Sequence, residues 1–246
     1  MSIRSHFQDT KSTKLSQMLA LLPICVSAFV ANIQESHAHG AVGSPIARQY
    51  QCRLEGGYWN NTIPNADCRA AYQNGGNSAY PFTQWNELTA NPSGQGNDLE
   101  KLLEAVPDGL LCAGGDNKKS GLDVPAVAWR KTPVTPVNGK IDVTWENTRS
   151  HTPSWMRIYL SKPNYNPQQP LRWTDLEKIY DAPSPTPSPA DRNGHLPGTI
   201  TSFYKLSVSL PAGRTGDAVL YSYWQRQDAG NEGFFNCSDI TILPGR

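Results

Sequence analysis

The sequence predicts a single β-sandwich domain with a large insertion near its start, and three observations carry that reading. From about residue 141 onward, short runs alternate apolar and polar side chains between Gly and Pro, the pattern of half-buried strands. Residues from about 49 to 128 are instead rich in Asn, Gly and Pro and hold only short helical candidates, which marks an insertion of the kind that is usually functional or disordered. The 246 residues include 20 Gly, 20 Pro and 7 Trp, yet only 17% are charged, against roughly 25% in an ordinary soluble domain. A chain of this length can bury its own core.

The same arithmetic excludes several classes. Lys+Arg total 22 and Asp+Glu 21, a formal net charge of +1, so there is neither a polybasic nucleic-acid surface nor an acidic tail. A mean hydropathy of −0.52 excludes a multispan membrane protein. No internal repeat is visible, which excludes solenoids and propellers.

At the N-terminus, Arg4, Lys11 and Lys14 precede an apolar stretch over residues 19–30, interrupted by Pro23. It is too short to span a bilayer, which takes about 20 apolar residues. Ser36-His37-Ala38 then supplies the small residues of a signal-peptidase site. The expected cut falls between Ala38 and His39, making 1–38 a removed leader and 39–246 a secreted, extracellular domain. Cleavage removes Cys25 and leaves an even set, Cys52, Cys68, Cys112 and Cys237, which in an exported chain reads as two disulfides of open connectivity. It also leaves three histidines, His39, His151 and His195, the first of them at the new terminus.

Along the exported part, two short helices are expected around 68–72 and 98–106. Strands are expected over 141–145, 156–160, 203–210, 218–224 and 239–243. Thr174-Asp-Leu-Glu177 reads as a capping box opening a helix over 174–180. The Pro-rich run that follows, 183–189, can form neither a helix nor a central strand and reads as an exposed loop.

A histidine at a chain terminus offers two nitrogens, the α-amine and ring Nδ1, which close one chelate ring on a metal. The amine, with an ordinary pKa near about 8, must lose its proton to bind. One more imidazole completes three nitrogens with positions left open, a set that favours copper among the first-row divalent ions. His151 supplies it, from the turn between two expected strands, where function concentrates. A loop histidine alone is more often a solvated residue than a ligand; paired with a terminal histidine in a chain of three, it reads as one. His195 has no such companion and reads as a loop residue.

Four segments then match a known pattern in order: His39-Gly-Ala-Val with Ser44-Pro-Ile-Ala-Arg-Gln-Tyr-Gln-Cys52; Val106-Pro-Asp-Gly-Leu-Leu-Cys-Ala-Gly-Gly115; His151-Thr-Pro-Ser-Trp with Tyr159-Leu-Ser-Lys-Pro-Asn-Tyr165; and Trp224-Gln-Arg-Gln-Asp with Glu232-Gly-Phe-Phe-Asn-Cys-Ser-Asp-Ile240. Together they resemble the lytic polysaccharide monooxygenases of auxiliary activity family ten, the last segment being similar to the fusolin-like, chitin-binding branch. The resemblance implies an immunoglobulin-like or fibronectin-III-like sandwich with one copper ion in a histidine brace on a flat face. His39 would give its α-amine and Nδ1, His151 its Nε2, and Phe234 would be a non-ligating axial aromatic. Glu87 and Glu232 are both candidates for the carboxylate beside the metal. The implied disulfides are Cys52–Cys68 and Cys112–Cys237. One departure stands out: Arg149 occupies a place, two residues before the second histidine, where the family often has a small Ala.

The implied reaction is oxidative cleavage of glycosidic bonds in a crystalline polysaccharide. It favours chitin over cellulose and C1 oxidation, and uses an external electron donor with hydrogen peroxide or dioxygen. For substrate, Trp85 offers a ring to stack on a sugar and Asn86, Asp228 and Asn231 offer polar contacts. A monomer is expected, with no nucleic-acid or membrane partner. Two rivals differ in class. A non-catalytic chitin- or cellulose-binding adhesive needs no terminal histidine, and a hydrolase needs two carboxylates about 5–9.5 Å apart, a pair no motif nominates.

Overall fold

The computed structural model describes residues 38–92, 99–125 and 127–246. The leader assigned to 1–38 therefore lies outside the described residues, Ala38 excepted. Strand β1 (His39–Ser44) pairs antiparallel with β4 (Lys140–Arg149), β4 with β8 (Ser202–Ser209), and β8 with the two-residue β7 (Ser188–Pro189). The second sheet runs β2 (Thr89–Ala90), β10 (Gly233–Ile242), β9 (Gly216–Arg226), β5 (Ser154–Ser161) and β6 (Leu176–Pro183), with β3 (Thr132–Val134) parallel to β10. This is the sandwich that the alternation predicts, and every expected strand is present, most of them longer.

Period-two patterning assigns the layers. Ile141, Val143 and Trp145 of β4 face Met156, Ile158, Leu220, Trp224 and Phe234 of the other sheet, and all are buried. Trp224 sits at the centre, 4.9 Å from the Phe234 ring, 5.5 Å from Trp145 and 5.6 Å from Tyr204. The opposite face of β9 and β10 carries Val219, Tyr221, Tyr223, Phe235 and Cys237, also buried. A strand covered on both faces reads as a continuous apolar run rather than an alternation. The cover is the insertion.

That insertion holds α1 (Arg48–Glu55), α2 (Ala66–Asn74), α3 (Tyr80–Thr83), α4 (Leu99–Ala105) and a 3₁₀ segment, Asn117–Asp123. The sequence signalled α2 and α4 but not α1 or α3, whose weak amphipathic patterns are set by packing. Both implied disulfides are formed: Cys52–Cys68 joins α1 to α2, and Cys112–Cys237 ties the insertion to β10. Beside the second, Arg48 grips Asp239 through Nε at 2.6 Å and Nη2 at 2.8 Å, and also donates to the Leu122 carbonyl. Asp123 accepts the amide N–H groups of Cys112 and Ala113 at 2.8 and 2.7 Å. Burial pushes its carboxyl up to about 7 against the pull of those donors and Arg48.

Three expectations need correction. The helix over 174–180 is absent: a 3₁₀ turn, Trp173–Asp175, leads directly into β6. The capping interaction exists but is shifted, with Asp175 Oδ2 accepting from the Arg172 amide at 3.0 Å. Pairing with β5, Ser161 opposite Leu176 and Ile158 opposite Tyr180, overrides the local helical signal. Within the Pro-rich run, Ser188–Pro189 forms an edge strand, the one place in a sheet where a proline's lack of an N–H is harmless.

His195 is no isolated loop residue. Its Nδ1 lies 2.7 Å from Glu146 Oε1, and Glu146 Oε2 accepts the Tyr50 hydroxyl at 2.6 Å. Glu146 is buried because it points out of β4 away from the sandwich core, under α1 and the 190–201 loop. Gly43 makes room for it, since a Cβ there would fall 2.4 Å from Glu146 Oε1. The hydrogen bond to Glu146 raises the His195 pKa, outweighing burial. A histidine raised in the folded state stabilises in full below its unfolded value of about 6.5, and that stabilisation is lost as pH climbs through the folded value. The wild-type excess in urea midpoint over His195→Gln is therefore expected to shrink as pH rises above about 6.5; an excess that stays level from about pH 5 to 9 contradicts the linkage.

Candidate metal centre

β1 and β4 end together. His39, first in β1, is the register partner of Arg149, last in β4, and His151 follows two residues later in the turn to β5. The sandwich thus brings two histidines far apart in sequence to one end of one strand pair. Close approach depends on Gly40: a Cβ there would lie 2.4 Å from Trp145 Nε1 and 2.6 Å from the Glu146 carbonyl.

The His39 ring turns its Nε2 to Glu87 Oε1 at 3.4 Å. Phe234 lies edge-on to it, ring centroids 6.2 Å apart at 88°. Phe234 is fully buried on Trp224, so it is both a core residue and a wall behind His39. His151 is fixed through its backbone: its N–H donates to the Tyr204 hydroxyl at 3.2 Å, and its carbonyl accepts from Tyr204 and Ser154, both at 2.8 Å. Its Nε2 stands 3.2 Å from Asp228 Oδ2. Burial lowers the His151 pKa, Arg226 adds to that, and Asp228 opposes it. The neutral imidazole that results is the form that ligates metal.

Asp228 belongs to a short ladder. Arg226 Nε donates to it at 2.8 Å and Arg226 Nη1 reaches Glu232 at 3.1 Å. Burial works against the Asp228 carboxylate, but the hydrogen bond and charge of Arg226 hold its pKa below the ordinary value. Of the two carboxylates nominated beside the metal, Glu87 reaches His39, whereas Glu232 connects to His151 only through Arg226 and Asp228. Asn231, in the left-handed region at φ 47°, donates its amide to Asp228 and closes the turn before Phe234.

The residues nominated for sugar contact divide differently. Trp85 is 4% exposed and stacked on Tyr50 at 4.2 Å, so it presents no ring to a substrate and is a core residue. Asn86 donates through its side chain to Thr148 rather than standing clear of the protein. The rings the insertion does expose are Trp59 at 76% and Tyr80 at 39%. Tyr80 is linked to the Glu87 turn: Lys119 Nζ sits 5.3 Å from its ring and donates to the Glu87 carbonyl at 2.6 Å. Sequence reasoning passed over Tyr80 and Lys119. A tyrosine before Pro at the head of a one-turn helix carries no periodic signal, and a lysine is ordinarily read as solvated.

The donor set fits a metal of nitrogen preference. With His39 Nε2 facing Glu87, Nδ1 is the ring nitrogen that can share a chelate with the main-chain nitrogen. That nitrogen is an amide in the full chain and would be an amine only if the bond after Ala38 were cut. Among the described residues, Glu55, Asp67 and Cys68 are the one trio of side chains close enough to share an ion, but Cys68 is in a disulfide and both acids face Arg130.

Comparison with known proteins agrees with this geometry. Residues 39–240 match the family model described as lytic polysaccharide mono-oxygenase, cellulose-degrading, a match that begins at His39. The chain belongs to this family, which is copper-dependent. It is similar to the chitin-binding protein CbpD of Pseudomonas aeruginosa, 34% identical over 92% of this chain and 53% of that protein. It spans about half the length of such curated relatives. The fusolin of Anomala cuprea entomopoxvirus spindles superposes with a TM-score of 0.75 at 29% identity, covering 84% of this chain and 90% of that one. The cellulose-active CelS2, solved in complex with copper, gives 0.67 at 30% identity, covering 84% and 100%.

Replacing Phe234 by Ala is expected to cost about 3–5 kcal/mol in unfolding free energy, as for a fully buried aromatic. Urea denaturation measures it, and a loss below about 1 kcal/mol would show that the ring is not core.

Proposed function

We propose that residues 39–246, released by cleavage after Ala38, form a secreted monomeric enzyme that oxidatively breaks glycosidic bonds at C1 in a crystalline polysaccharide, chitin ahead of cellulose. The observation that carries this reading is the convergence of His39 and His151 at one end of the β1–β4 pair, with Phe234 edge-on to His39. The α-amine and Nδ1 of His39 and Nε2 of His151 would hold copper. Bound there, the ion would supply one-electron redox chemistry with open positions for hydrogen peroxide or dioxygen, electrons coming from an external donor.

The chain's own residues set the conditions for that chemistry. Glu87 holds the far nitrogen of the His39 ring and fixes the ring's face. Tyr204 and Ser154 hold the His151 backbone, so the second imidazole is placed before any metal arrives. Phe234 keeps one side of the centre apolar. Tyr80, with Lys119 beneath its ring, offers an aromatic face to a sugar, and Trp59 extends the exposed aromatic surface of the insertion. Support for chitin comes from the fusolin-like final segment and from the chitin-binding relative.

The test is mass spectrometry of soluble products from β-chitin and cellulose, using the mature chain with copper and ascorbate. Aldonic-acid oligomers from chitin are expected, and a variant with one extra residue before His39 is expected to bind chitin but release none. Intact polymer in both incubations, with binding retained, would favour the adhesive reading. Tyr80→Ala and Trp59→Ala are each expected to weaken chitin binding several-fold in pull-down isotherms while copper affinity stays unchanged.

A further inference from the structure

Asn86, read from sequence as a sugar contact, closes a ring of hydrogen bonds around the peptide unit that follows His39. Its backbone carbonyl accepts the Gly40 N–H at 3.1 Å. Its side-chain amide donates to Thr148 Oγ1 at 3.0 Å, and that hydroxyl donates to the His39 carbonyl at 3.3 Å. The two ends of one planar group, the His39 C=O and the Gly40 N–H, are thus held from a single residue. Because the peptide unit moves as a plane, fixing both ends fixes the position of the His39 Cα. The ring and the main-chain nitrogen both hang from that atom.

The turn that carries Asn86 is itself anchored on three sides. Trp85 is buried against Tyr50, whose hydroxyl is bound by Glu146. The Glu87 amide donates back to the Gln84 carbonyl at 3.0 Å, and the Glu87 carbonyl takes Lys119 Nζ at 2.6 Å. Thr148 is held from β4, and its own carbonyl accepts the Thr201 hydroxyl at 3.2 Å. Both sides of the latch are therefore rigid.

We propose that Asn86 and Thr148 are positioning residues for the metal, a latch that keeps His39 in ligating position once it is the first residue of the chain. A terminal strand residue ordinarily frays, and a fraying ligand binds its ion weakly. The proposal rests on the reading of His39 as a mature terminus and copper ligand.

The test uses the mature chain in wild-type, Asn86→Ala, Thr148→Val and Thr148→Ser forms. In metal-free protein, NMR follows the His39 ring resonances and hydrogen exchange of the Gly40 amide; calorimetry follows copper affinity, and thermal melts follow global stability. Asn86→Ala and Thr148→Val are expected to speed Gly40 exchange, shift the His39 ring and weaken copper binding by about tenfold or more, with melting temperatures close to wild type. Thr148→Ser, which keeps the hydroxyl, is expected to restore all three. Unchanged exchange and ring resonances overturn the latch, and so does faster exchange with undiminished copper affinity. If the wild-type chain itself takes up no copper, the metal reading falls, while exchange in the metal-free protein still decides whether the latch holds His39.

Discussion

On the proposed reading His39 is a metal ligand at a chain terminus, with nothing before it to hold it in place, and the architecture around it answers that constraint. A residue inside a strand is fixed by neighbours on both sides; one that begins a strand depends on cross-strand and loop contacts alone. β1 supplies the first through its pairing with β4, the insertion the second through Glu87 and Asn86, and β10 the third through Phe234. Three separate parts of the chain converge on one residue. Each is in turn bound to the sandwich: β10 by its full ladder with β9, the insertion by the Cys112–Cys237 disulfide and the buried Arg48–Asp239 pair.

This explains why the second sheet is buried on both faces. A sandwich needs only its inner faces covered, and an ordinary outer face is polar. Here Tyr221, Tyr223 and Phe235 point outward and meet the insertion, so a region poor in regular structure rests on a continuous aromatic floor. Loops that bind or catalyse must be held by something stiffer than themselves. The outer aromatics of β9 and β10 provide that stiffness.

Much of this was legible in the sequence, for identifiable reasons. β4, β5 and β8 announce themselves because alternation is a local signal, β9 as an apolar and aromatic run, and His39 with His151 stood out through the chemistry of a terminal imidazole. The pairing of Cys112 with Cys237 came from the family pattern and not from spacing, which leaves the connectivity open. What stayed hidden is tertiary. The strand at Leu176–Pro183 carries a helix-start signal that pairing with β5 overrides. Glu146 sits in an apolar strand and gives no hint that it faces away from the core toward His195 and Tyr50. Lys119 reads as a surface cation until Asp116, Glu87 and the ring of Tyr80 are seen around it.

The division between Trp85 and Tyr80 shows how one short stretch serves two ends. Five residues apart, both are aromatic, and the ring the sequence nominates for a sugar is the buried one. Tyr80 heads the one-turn α3 and stays at the surface, whereas Trp85, two residues past its end, is buried against Tyr50. Stacked there, Trp85 cannot touch substrate, yet without it the following residues, Asn86 and Glu87, would have no fixed base from which to reach β1. The buried ring and the exposed one are therefore complementary: burial of the first anchors the turn that holds His39. The second is tied to the same turn through Lys119, so an exposed ring and the residues that reach His39 share one support.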